Sequence, residues 1–157
     1  MNQILGLHAR IMRKKPAYVH GTKNKIFPNL LKQDFHCTEP NRIWCTDFTY
    51  IRMRNGKMRY NCSMLDLYDR SIVATLNSDY INTELAKATL EKALMEEKPE
   101  KGLILHSDQG CQFTSWGFIN YCESRGICQS MSKAGCPYDN APMERFYNTL
   151  KNELIYP

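Results

Sequence analysis

The run Leu103-Ile104-Leu105-His106-Ser107-Asp108, set between Gly102 and Gly110, constrains the fold more than any other stretch. Consecutive large aliphatic residues bounded by glycines read as a strand buried on both faces, the kind found inside a mainly parallel sheet. In open α/β sheets the chemistry gathers just beyond the carboxyl ends of the strands, and Asp108 stands at that end. Period two puts Ile104, His106 and Asp108 on one face, with Leu103 and Leu105 on the other. An aspartate shortly before a glycine commonly serves only as a turn. Its meaning therefore depends on where the other carboxylates fall.

The remaining elements follow from pattern. Ile43 to Ile51 is β-branched and aromatic and reads as a strand. Asn55-Gly56 is a hairpin signal, Met58 to Leu67 reads as a second strand, and Ser71 to Leu76 as a third, so an antiparallel meander is expected first. Asn82 or Thr83 caps a helix from Glu84 to Glu97, with Pro99 after its end. Thr114 or Ser115 caps a second helix that ends on Gly126. Ile127 to Met131 is a short fifth strand, residues 134–140 read as a loop, and Pro142 opens a last helix. Upstream, residues 1–15 read as the end of a helix. Residues 16–42 read as a linker punctuated by Pro16, Gly21, Pro28 and Pro40, with Asn29-Leu30-Leu31 as an apolar anchor. The order βββαβαβα predicts an α/β fold: a mixed five-stranded sheet flanked by helices. The right-handed crossover rule sets the strand ending at Asp108 beside the strand carrying Asp47.

Three acids then have reason to converge: Asp47 in a central strand, Asp108 at the end of its neighbour, and Glu144 in the first turn of the last helix. Between Asp108 and Glu144 lie 35 residues. Carboxylates without cysteine or histidine partners favour hard cations, Mg²⁺ or Mn²⁺ above all. Three of them can hold two ions about 3.5–4 Å apart, an arrangement suited to in-line displacement at phosphorus. On the last helix Glu144, Asn148 and Lys151 fall at i, i+4 and i+7 and share a face, with Arg145 at its edge and Phe146, Leu150 and Leu154 on another. The same spacing also describes the wet side of any amphipathic helix.

The net charge is +5, and it is unevenly placed. Residues 1–36 hold Arg10, Arg13, Lys14, Lys15, Lys23, Lys25 and Lys32 against the single acid Asp34. That is the footprint of a nucleic-acid contact or a solvated arm. No run approaches eighteen apolar residues and the start lacks an apolar signal region, so a soluble intracellular protein without a membrane span is expected. Seven cysteines cannot all pair, and none stands in a Cys-x-x-Cys unit. Reduced thiols are expected.

Four segments together resemble a known family. They are Trp44-x-Thr46-Asp47-x-Thr49-Tyr50-Ile51, Leu65-Asp66-Leu67-Tyr68-Asp69-Arg70, His106-Ser107-Asp108-Gln109-Gly110, and Gly135-x-Pro137-x-Asp139-Asn140-Ala141-x-Met143-Glu144-Arg145-Phe146. They are similar to the integrase core of bacterial insertion-sequence transposases, nearest the insertion-sequence-three family, over residues 25–157. The resemblance implies an RNase H-like fold, a DDE triad at Asp47, Asp108 and Glu144, and two Mg²⁺ or Mn²⁺ ions per site. It implies cleavage at the element's ends, then attack of the freed 3′-hydroxyl on another phosphodiester. The implied partners are DNA, both element ends and target, and further copies of the chain on that DNA. The implied setting is the bacterial cytoplasm, on the nucleoid. DNA contacts are expected at Lys151, Arg145, Asn148, Arg13, Lys14 and Lys15. Residues 1–40 are expected to be a basic arm and linker, the tail of an upstream DNA-binding region, and 41–157 a catalytic core truncated at its C-terminus. Asp66 and Asp69 belong to the motif but read as structural. Two alternatives stay open: a catalytically silent transposase fragment that binds DNA or the full-length transposase, and a plain RNase H-like nuclease.

Overall fold

The structure, a computed structural model, describes residues 25–155. The helix expected over residues 1–15, and Arg13, Lys14 and Lys15 with it, lie outside the described residues. Five strands form one mixed sheet: β1 (Ile43–Arg52), β2 (Met58–Asp66), β3 (Ile72–Ser78), β4 (Ile104–Ser107) and β5 (Cys128–Met131), in the order β3-β2-β1-β4-β5. The β1–β2 and β2–β3 pairs are antiparallel, and the β1–β4 and β4–β5 pairs are parallel. The meander, the crossovers and the central place of β1 follow the expected order.

Turn chemistry accounts for the boundaries. The β1–β2 hairpin closes with Gly56 N–H donating to Met53 O (2.9 Å) and Met53 N–H to Lys57 O (2.8 Å), while Gly56 takes φ 82°. A left-handed residue there matches the right-handed twist of the flanking strands, and glycine adopts it without steric cost. Helix α1 (Thr83–Glu97) is capped by Asn82, whose side chain accepts from Leu85 N–H. Helix α2 (Trp116–Ser124) is capped by Ser115, which accepts from Phe118 N–H.

Two apolar layers sandwich the sheet. On one face Trp44, Met64, Val73, Leu103 and Leu105 pack with residues of α1 and α2. On the other, Cys45, Leu65 and Leu67 pack with Met143 and Tyr147 of α3 (Ala141–Thr149). Alternation along β1 thus sends Trp44 to one layer and Cys45 to the other, as a strand buried on both sides requires. All seven cysteines are free thiols, and burial pushes those of Cys45, Cys62 and Cys122 up to about 12. Among the described residues no helix is long and apolar enough to cross a membrane.

Three features refine or depart from the sequence reading. Residues 25–41 hold no helix or strand, as a linker would, and the expected anchor at Leu31 is buried, but the segment is also tied along the core by hydrogen bonds. Leu30 N–H donates to Ser130 Oγ (2.9 Å), and Asn41 N–H donates to Asp66 Oδ2 (2.7 Å). The segment expected as a loop contains a 3-10 turn, Pro137–Asn140, that leads directly into α3. The last helix is α-helical only to Thr149. It then widens into a π-helical segment, Leu150–Ile155, which shifts every later residue around the axis. The expected face of Glu144, Asn148 and Lys151 therefore does not run on unbroken.

Candidate active site

The parallel ladder sets the geometry. Cys45 lies opposite His106, so two residues further along each strand Asp47 comes beside Asp108, the first residue past β4. Cys45 and Ile104 belong to the layer under α3, and period two puts both aspartates on that side of the sheet. Asp47 also faces Ser63 across the β1–β2 pair. Beneath it Ser63 Oγ donates to Asn61 Oδ1 (2.7 Å), and Asn61 Nδ2 to Thr75 Oγ1 (2.7 Å), a buried polar patch satisfied within the strands.

Each carboxylate is fixed by backbone. Asp47 Oδ1 accepts from Phe48 N–H (2.7 Å), and Asp108 Oδ1 accepts from Gly110 N–H (2.8 Å). A Cβ on Gly110 would stand 2.9 Å from that same Asp108 oxygen, so a larger residue there would push the carboxylate aside. Asp108 is thus a turn residue in its backbone contact and still presents charge towards Asp47. Burial raises the Asp47 carboxyl to about 8, the charge of Asp108 adds most to this after burial, and Glu144 adds less. The Phe48 N–H and Lys151 oppose the shift. Asp47 nevertheless keeps a partial opening to solvent.

Glu144 sits on the exposed side of α3. Its charge is felt at Asp47, but among the described residues no three acidic, histidine or cysteine side chains close into a cluster that could hold a metal ion. Arg145 and Asn148 are exposed as well. Lys151 is half-buried, with its Nζ 4.5 Å from the centre of the Tyr50 ring. Burial lowers its ammonium while the nearby Asp47 raises it.

Several residues that support this arrangement were not singled out from sequence. Tyr147 donates its hydroxyl to the Asp47 carbonyl oxygen (2.7 Å), and Asn140 Nδ2 donates to the Thr46 carbonyl oxygen (3.3 Å). Together they dock the start of α3 on β1 at the aspartate. His106 is fully buried between Asp139 O and Ser130 Oγ, each 2.8 Å away. A carbonyl only accepts, so Nε2 carries the proton and Nδ1 takes the serine hydroxyl. Burial lowers the His106 pKa, in keeping with a neutral ring. The Asp139 carboxylate accepts from Lys133 N–H, Gln33 Nε2 and Asn29 Nδ2 at 2.8–2.9 Å, which holds it below the usual range. Asp66 and Asp69 accept backbone N–H groups of Asn41, Tyr68 and Ser71, which makes them turn-formers. A signal for Tyr147 existed: it stands one turn after Met143 on the buried side, and a buried phenol needs a partner for its hydroxyl.

Two neighbouring carboxylates with an all-oxygen donor set fit a hard divalent cation, whereas the lysine nearby suits an anion. Residues 37–137 match the integrase core domain family, a span that includes both aspartates and stops short of Glu144. The transposase of insertion sequence element IS904 from Lactococcus lactis is 39% identical over 155 residues, covering 97% of this chain and 60% of its own. The transposase InsF of insertion sequence IS3A from Escherichia coli is 34% identical over 152 residues, covering 96% of this chain and 52% of its own. The chain thus spans little more than half the length of these relatives. Among solved structures, the simian T-cell lymphotropic virus intasome aligns with a TM-score of 0.69 at 18% identity, covering 85% of this chain and 45% of that one. The HTLV-2 integrase catalytic core in complex with magnesium aligns with a TM-score of 0.61 at 19% identity, over 72% of this chain and 68% of that one. The shared fold is RNase H-like.

Proposed function

Because the chain belongs to the integrase core domain family, we propose that it is the catalytic core of a DDE-type transposase, cleaving DNA strands and joining the freed 3′-hydroxyl to a new phosphodiester. The single observation that supports this reading most is the charge of Asp108 acting on Asp47, two residues beyond the point where β1 and β4 pair at Cys45 and His106. Asp47 and Asp108 would hold Mg²⁺ or Mn²⁺, and Glu144 would complete the set for a second ion. Such ions, when bound, supply charge stabilisation to the attacking and leaving oxygens. The chain's own part is to bind, orient and keep charge in place. Tyr147 and Asn140 hold the β1 backbone at the aspartate. His106 and Asp139 hold the turn from which α3 departs. Lys151, kept near Asp47 by the Tyr50 ring, would meet the phosphate being processed, and Arg145 and Asn148 would contact flanking backbone.

The substrate reading rests on the relatives named as transposases. Residues 1–40 would then serve as a basic arm on DNA, and the protein would work as a homo-oligomer on the bacterial nucleoid. The test is a Mg²⁺-dependent joining assay on short duplexes bearing the element's ends. Nicked ends together with joined products are expected. Nicked products alone would identify a nuclease, and DNA binding without any product a silent fragment. Either result overturns the proposal.

A further inference from the structure

We propose that the β1–β2 hairpin tip, through Arg54 and Lys57, grips the phosphate backbone of the DNA that flanks the scissile bond. This rests on the reading of Asp47 and its neighbours as a DNA-processing site. Strand β1 pairs with β4 only as far as Cys45, yet it continues to Arg52. Its outer half therefore stays in the sheet only through β2, which β3 backs as far as Tyr60, and the pairs Ile51–Arg59 and Arg52–Met58 run on without β3 or β4, past the carboxylates. From Asp47 to Arg52 the strand rises about 17 Å at about 3.3 Å per residue, close to five nucleotide steps along a duplex at about 3.4 Å each.

Charge along this projection has one sign. No acidic residue occurs between Asp47 and Asp66, whereas Arg52, Arg54, Lys57 and Arg59 all fall there. Arg52, Arg54 and Lys57 are exposed. Arg59 is set apart, because its guanidinium is paired with Asp79 at 3.1 Å. Among the described residues no ion pair engages Arg54 or Lys57. At the other end of β1 the pattern reverses, since Arg42 is held by Glu39 at 2.8 Å and Glu100 at 3.2 Å. Lys151, stacked on Tyr50, continues the positive track from the hairpin back to Asp47. The hairpin also borders an open hollow of about 410 Å³ that Ile155 helps to line. A basic, acid-free ribbon leading straight from paired carboxylates complements a polyanion, and its exposed tip offers point contacts rather than a shaped pocket.

The experiment compares the 157-residue chain with R54Q/K57Q and with K98Q/K101Q, which removes equal charge beyond the opposite end of β1. Binding to a mixed-sequence duplex is measured from 0.05 to 0.3 M salt. R54Q/K57Q should flatten the slope of log K against log salt by about 1.8, about 0.9 for each lost phosphate contact. Its affinity near 0.1 M salt should fall on the order of tenfold or more. K98Q/K101Q should leave the slope where it was. An unchanged slope in R54Q/K57Q, or an equal fall in K98Q/K101Q, overturns the proposal. This readout involves no catalysis. A chain that binds through the hairpin yet never cuts would sink the catalytic reading and leave this one standing.

Discussion

Asp47→Asn is expected to abolish Mg²⁺-dependent strand cleavage while making the metal-free chain more stable at neutral and alkaline pH. The two effects share one cause. Asp47 is largely enclosed by protein, lies beside Asp108 and feels Glu144, so its carboxyl is raised from 3.8 to about 8. In the folded chain it holds a proton that the unfolded chain releases near pH 4. Between these values the folded state binds more protons, so stability falls as pH rises, by no more than ~1.4 kcal/mol per pH unit. Below about pH 4 both states are protonated, above about pH 8 both are ionised, and the contribution is flat. Asparagine does not titrate and keeps an oxygen for the Phe48 N–H, so the variant should lose this pH dependence without losing the local bond. Catalysis moves the other way, because the variant lacks the charge that would hold the cation. Several kcal/mol of lost charge stabilisation corresponds to about 10³-fold or more in rate. Melts from pH 5 to 9 in chelator, set beside a cleavage assay, check both halves.

Trp44→Ala is expected to give the largest loss of stability among single core truncations, about 3–5 kcal/mol. Trp44 is fully buried under α1 and α2, in one cluster with Met64, Leu90, Leu105 and Phe113. Its indole N–H donates to Asn41 Oδ1 at 3.1 Å. Removing it leaves a cavity at the centre of the sheet and an acceptor without its donor. For a domain of this size the melting temperature should drop by roughly 6–20 °C. The second tryptophan supplies the contrast. Trp116 is 55% exposed in the first turn of α2, and its replacement by alanine should change stability by no more than about 0.5 kcal/mol. Parallel thermal melts of the two variants decide the point; equal losses would mean that the indole of Trp44 is not a core anchor.

How far the fold was legible follows from which forces set each part. The place of β4 beside β1 follows from crossover handedness once the order of elements is read, and that order rests on alternation, which leaves a period in the residues. The caps at Asn82 and Ser115 came from local side-chain to backbone bonds three residues apart. What escaped was held by bonds of long sequence separation. Asn29 and Gln33 meet Asp139 more than a hundred residues away, and Tyr147 meets Asp47 across 100 positions. Such contacts carry no periodic trace. They explain why residues 25–41 look like a linker in sequence and lie along the core in the fold. The widening of the last helix after Thr149 escaped for a different reason: Leu150 to Ile155 has ordinary helix-forming composition, and nothing in it marks a π-helical turn. The expected run of Glu144, Asn148 and Lys151 along one face was drawn from straight-helix spacing that this turn interrupts.

The central claim is that Asp108 is a cation ligand and more than a turn. Asp108→Asn tests it most directly, because asparagine retains an oxygen to accept the Gly110 N–H and so spares the turn. Thermal melts of wild type and variant are compared near neutral pH, with and without Mg²⁺. Wild type should gain stability from the cation, about 2.7 kcal/mol at a hundredfold excess over the dissociation constant. For this chain length that is roughly 5–11 °C. The variant should melt at or above wild type without metal and show no gain with it. If Asp108→Asn instead melts lower in both conditions and keeps its full response to Mg²⁺, Asp108 serves the turn alone and the account of the site is wrong.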